Sequence, residues 1–84
     1  MTHGAPGDPL ASAMFVLRDA AEPLHWTVIL DRALRAGLID PFTTPNVRRE
    51  LLAALRRGVA EGVLRLVDTG VYELARSPSD GRGA

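Results

Sequence analysis

"VLRLVDTGVYEL", Val63 to Leu74, is where the hydrophobic spacing of this chain changes from a period near 3.6 to a period of 2. "VLRLV", Val63 to Val67, and "VYEL", Val71 to Leu74, flank "DTG", Asp68 to Gly70. Two short alternating runs around a glycine-containing loop predict a β-hairpin. Leu64, Leu66, Tyr72 and Leu74 are the residues expected to lay this hairpin on a core. Everything upstream of Gly62 must then be read for the elements that the hairpin closes.

Immediately before it lies the longest helical pattern, "PNVRRELLAALRRGVA", Pro45 to Ala60, launched by Thr44 as a capping side chain followed by proline at the first helical position. Val47, Leu51, Ala54, Leu55 and Gly58 share one face of this helix 3, and Asn46, Arg49, Ala53, Arg56 and Arg57 share the opposite one. The connection "LIDPFT" ahead of it carries Leu38, Ile39 and Phe42, which predicts a loop pinned to the core. Further upstream, Trp26, Ile29, Leu30, Ala33 and Leu34 form the inward stripe of helix 2. Asp31 and Arg35 are spaced for an i,i+4 pair on its wet side, and Gly37 is a natural stop.

The corner "EPLHWT", Glu22 to Thr27, separates helix 2 from helix 1. Pro23 disfavours a helical Glu22 and has no N–H to donate, so helix 1 must end before it. With His25 as N-cap of helix 2, Leu24 and Ile29 occupy the two positions of a hydrophobic staple, which sets the entry angle of the chain. Helix 1 itself begins with Asp8 as N-cap and Pro9 behind it, and places Leu10, Ala13, Met14, Leu17, Ala20 and Ala21 on one side. Phe15 and Val16 fall off that stripe. They either pack under a later element or form an exposed patch, and in a small domain the first is commoner.

The order is helix, helix, helix, hairpin: a mainly α, three-helix winged helix-turn-helix over residues 8–76. Residues 1–7 and 77–84, "MTHGAPG" and "SPSDGRGA", have the composition of disordered tails.

At 84 residues the chain has room for one small core and little else. It has no cysteine, so disulfides and thiolate metal sites are excluded. Its two histidines, His3 and His25, lie far apart in sequence, and no nucleophile, base and orienter can be assembled from what remains. The expectation is a protein with no catalytic residues, metal or cofactor. No apolar run approaches the roughly 20 residues that span a bilayer, and "MTHGAPGDP" has neither a basic n-region nor an apolar h-region, which points to the cytoplasm and away from membranes.

Ten arginines balance ten acids over the whole chain, but not locally, since both ends are net acidic. Residues 44–66 hold five arginines against two acids, a net +3. That excess sits on helix 3 and the start of the hairpin, so Asn46, Arg48, Arg49, Arg56, Arg57 and Arg65 are the candidate DNA-binding residues. Arginine can contact guanine edges or phosphates, and the small Ala53 permits close approach. A merely solvated helix face has the same look, and Glu50 sits within it.

Taken together, "LRDAAEPLHWTVILDRALRAGLI", "TPNVRRELLAALRRG" and "VLRLVDTGVYELA" resemble the HARE-HTH family. The matching positions are Pro23, Leu24, His25, Trp26, Gly37, Leu38, Thr44, Pro45, Gly70, Tyr72 and Leu74. The family includes the N-terminal domain of the bacterial RNA polymerase delta subunit and modules attached to restriction and chromatin proteins. The resemblance implies a winged helix-turn-helix that either binds duplex DNA or docks, without enzymatic activity, on RNA polymerase or a larger nucleoprotein complex, as a monomer or weak homodimer. Two departures lower the DNA affinity it implies: the connection before helix 3 has no lysine, and the wing tip carries Asp68.

Overall fold

The computed structural model describes residues 8–75 and contains, in chain order, α1 (Pro9–Ala20), β1 (Leu24–His25), α2 (Trp26–Arg35), α3 (Val47–Ala60), β2 (Leu64–Asp68) and β3 (Val71–Leu74). Three helices and a small antiparallel sheet in the order β1-β3-β2 make a winged helix-turn-helix. The expected tails at 1–7 and 77–84, and the boundary residue Arg76, lie outside the described residues.

The proline-marked start of α1 forms as its sequence dictates. The Asp8 carboxylate accepts the Ala11 N–H at 3.2 Å, and Pro9 occupies the position where no N–H is needed. At the other end Ala21 takes a left-handed conformation, φ 58°, so it leaves the helix and the inward stripe assigned to it, and is exposed. Left-handed backbone strains an alanine by about 1–2 kcal/mol, while glycine adopts it freely at some entropic cost. Ala21→Gly is therefore expected to stabilise the domain by about 0.5–1 kcal/mol. A urea midpoint that stays put or falls would show that no strain is stored there.

Both remaining helices end in a Schellman motif on a glycine. Gly37 (φ 74°) donates to the Leu34 carbonyl while Leu38 donates to Ala33 at 2.9 Å, and Gly62 (φ 83°) and Val63 repeat the arrangement on Val59 and Gly58.

The core joins Ala13, Val16 and Leu17 of α1, Leu24 of β1, Ile29 and Ala33 of α2, Ile39, Leu51 and Leu55 of α3, Leu64 of β2 and Tyr72 of β3. Val16 and Phe15 part company: Val16 is buried and Phe15 is 52% exposed. α1 is packed by α2, α3 and β3, so its buried arc is wide enough to take in Val16 but not its neighbour one step round the helix. One polar residue goes in with them. The Ser12 hydroxyl is shared between the Asp8 carbonyl at 2.9 Å and the Leu38 carbonyl at 3.2 Å, which ties α1 to the end of α2.

Three expectations from the sequence are corrected. First, α3 begins at Val47 rather than Pro45, because Asp40 captures the preceding chain. Its carbonyl accepts the Thr43 and Thr44 N–H groups, and Thr44, Pro45 and Asn46 are spent on the turn that follows. Asn46, not Thr44, is the N-cap; it is left-handed (φ 53°), which asparagine tolerates, and makes no side-chain cap. Second, the connection is only half pinned. Ile39 is buried and Leu38 half-buried, but Phe42 is 94% exposed. Third, Leu66 does not reach the core: it pairs with buried Tyr72 yet stays 52% exposed, because β2 is an edge strand and the pairing bulges between Leu66 and Asp68. Leu64, Tyr72 and half-buried Leu74 are what close the core.

The corner from Glu22 to Thr27 does more than set an angle. Leu24 and His25 form β1, pairing antiparallel with Tyr72 and Val71 of β3, so the connection between α1 and α2 is the third strand of the sheet. The cap is present as well: His25 Nδ1 accepts the Thr27 N–H at 3.2 Å and lies 2.8 Å from the Thr27 hydroxyl, which puts the neutral ring's proton on Nε2. Leu24 and Ile29, the staple pair, both enter the core. Finally the Trp26 N–H donates to the Gly70 carbonyl at 2.8 Å, locking the start of α2 to the wing turn.

Candidate nucleic-acid interface

α3 divides its residues as the helical wheel requires. Leu51, Ala54, Leu55 and Gly58 are buried and Val47 half-buried, while Arg48, Arg49, Ala53, Arg56 and Arg57 are exposed. The inward face is drawn close to the sheet at Gly58, where a Cβ would lie 2.6 Å from a Leu64 methyl and 3.0 Å from one of Leu10. That close approach holds α3 against α1 and β2 and turns the arginines outward.

The six candidate residues do not act as one group. Asn46, Arg48, Arg49 and Arg56 line a single shallow depression along α3, together with Val47 and Leu52. Arg57 lies off it, with its Nε 4.0 Å from Glu61, a loose i,i+4 pair. Arg65 is further committed. The β2–β3 register sets it opposite Glu73, whose carboxylate takes its Nε at 2.8 Å and a terminal guanidinium nitrogen besides. Glu73 is the partner that sequence reading missed, although it could be found once the hairpin register is written down. The three arginines of this region that make no ion pair among the described residues are therefore the three in the depression.

Arg48 also links the depression to the corner. Its guanidinium carbon is 5.8 Å from the centroid of the Trp26 ring, at the outer limit for a cation–π contact. Trp26 is half-buried against the core, so it can steady Arg48 from below. The first turn of α3 has no side-chain cap and carries one acid, exposed Glu50. Its unmet N–H groups add to the positive field, and Glu50 subtracts from it.

The wing adds little positive charge. Asp68 is exposed at its tip, where its carboxylate accepts the Thr69 N–H at 2.8 Å, and Leu66 and Val67 beside it are exposed and apolar. His25 is held by Thr27, and among the described residues no three metal-ligating side chains gather. No described helix is long and apolar enough to cross a membrane.

No family model matches this chain, and neither curated proteins nor solved structures give a match.

Proposed function

We propose that this domain is a DNA-binding module of transcription or genome defence, working in the cytoplasm without catalysis, and that α3 is its recognition helix. The observation that carries the reading is the sorting of charges. Arg57 and Arg65 have acidic partners, while Arg48, Arg49 and Arg56 face solvent together on one depression with Asn46. Three guanidinium groups gathered without a described counter-ion suit a polyanion, and a convex helix with Ala53 between them suits the major groove. The HARE-HTH resemblance agrees with this reading. Arg57, paired with Glu61, is a flanking residue of the site.

The chain as a whole is neutral, so affinity rests on this local site and is modest for a single copy. With about three phosphates neutralised, log K is expected to fall against log salt with a slope of roughly −3, at about −0.9 per contact. The deciding comparison sets Arg48→Ala/Arg49→Ala/Arg56→Ala against the parent on mixed duplex DNA at low salt. The triple variant is expected to lose binding and most of the slope, and Arg57→Ala to keep both, with circular dichroism unchanged in each. Equal binding by parent and triple variant, or none by either, would sink the proposal.

A second reading, a module that docks on RNA polymerase or a larger nucleoprotein complex, draws on Phe15 and Val28, which are 52% and 37% exposed on α1 and α2. Val16, next to Phe15 in sequence, is buried and adds nothing to an exposed apolar area there.

A further inference from the structure

Phe42 is 94% exposed, whereas the other exposed large apolar side chains among the described residues reach at most 52%. Single exposed apolar residues are ordinary on a protein surface, and Phe42 stands out by the extent of its exposure. It is also held out rather than left loose. The Phe42 N–H donates to the Asp40 carboxylate at 2.9 Å, Thr43 and Thr44 donate to the Asp40 carbonyl at 3.2 and 3.0 Å, and Pro41 fixes the dihedral between them. Four backbone steps separate Phe42 from Asn46 at the edge of the arginine depression, so the two are at most about 14 Å apart.

Resting on the reading of α3 as a DNA-contacting helix, we propose that Phe42 is a stacking platform for an unstacked base, so that the site takes DNA with an unpaired or displaced nucleotide in preference to regular duplex. Charge decides what the ring can meet. Arg48, Arg49 and Arg56 lie on the α3 side and suit phosphates, while the Asp40 carboxylate beside Phe42 repels them. The polyanion must therefore present something other than its backbone to the turn. An aromatic face and an apolar edge suit a base, and only a base out of its stack offers a face. In regular duplex every base face is covered, and Phe42 would meet sugars and groove edges alone. Opening a step so that a phenyl ring can enter is the alternative, and a bulge removes most of that penalty in advance.

The probes are a labelled mixed-sequence duplex and the same duplex with one unpaired nucleotide, titrated by fluorescence anisotropy against the parent and Phe42→Ala. Because Phe42 touches no core residue group, the variant is expected to fold as the parent does, which circular dichroism checks. Stacking on one base predicts that the parent holds the bulged duplex about 10-fold or more tighter. Phe42→Ala should erase that preference and leave regular-duplex affinity and its salt slope unchanged, while Phe42→Trp restores the preference. A parent without preference, or a preference that survives Phe42→Ala, overturns the stacking role and leaves the arginine reading standing if the triple variant still loses regular duplex. Absence of binding to either DNA overturns both.

Discussion

Gly70→Ala is expected to destabilise the domain by about 2–3 kcal/mol, a large share of the roughly 3–10 kcal/mol that holds a domain of this size together. Two independent causes combine. Gly70 has φ +70°, a left-handed conformation that strains alanine by about 1 kcal/mol or more. A Cβ there would also stand 2.7 Å from His25 Nε2 and 3.2 Å from Trp26 Cδ1. His25 is exposed and its ring could swing clear, but its Nδ1 caps α2 through Thr27, so moving it gives up a cap worth about 1 kcal/mol. The Trp26 N–H is bonded to the Gly70 carbonyl, so the backbone cannot shift away without losing that bond too. A double-mutant cycle isolates the clash. In a His25→Ala background the penalty of Gly70→Ala is expected to shrink to the strain alone, about 1 kcal/mol. The same penalty in both backgrounds would mean that the ring and Gly70 do not constrain each other.

This coupling shows which parts of the fold were open to sequence reading. Proline and glycine mark element ends through local backbone rules, so the starts of α1 and α2, the stop at Gly37 and the hairpin around Gly70 were all legible. β1 was not, because two residues have no periodicity; Leu24 and His25 are a strand only by virtue of Tyr72 and Val71, nearly fifty positions away. The start of α3 misled for the opposite reason. Thr44–Pro45 copies Asp8–Pro9, but Asn46 turns left-handed (φ 53°) behind them, so the helix can start only at Val47.

Burial was read least well where it depended on reach. Alternation correctly puts Leu66 opposite Tyr72, yet cannot tell that β2 is the edge strand of the sheet, where Leu66 stays exposed. Phe42 was assigned to the core on its chemistry, when the Asx turn at Asp40 points the chain outward. The candidate site follows the same division. A helical wheel is local, so the arginine face of α3 could be read directly. Which arginines keep their charge available could not, since Glu73 reaches Arg65 only through strand register.

Leu55 and Arg56 are neighbours on opposite faces of α3, and they separate stability from binding. Leu55 is fully buried, on a helix packed by α1, α2 and β2. Leu55→Ala removes its transfer free energy and leaves a cavity that elements fixed from three sides cannot close, for a loss of about 3–5 kcal/mol. That brings the domain to the edge of unfolding, with a broad or absent urea transition followed by Trp26 fluorescence. Arg56 is exposed and unpaired among the described residues, so Arg56→Ala is expected to stay within about 0.5 kcal/mol of the parent. If α3 contacts DNA as proposed, the two should weaken that binding differently. Arg56→Ala lowers affinity and reduces the salt slope by about one contact at unchanged stability. Leu55→Ala lowers the concentration of folded protein but leaves the slope intact, and saturating DNA should raise its melting temperature, since a ligand of the folded state opposes unfolding. If Leu55→Ala instead melts with the parent, Leu55 is not a keystone between α3 and the rest. If Arg56→Ala alters stability while binding stays as it was, the exposed face of α3 serves the fold and not the DNA.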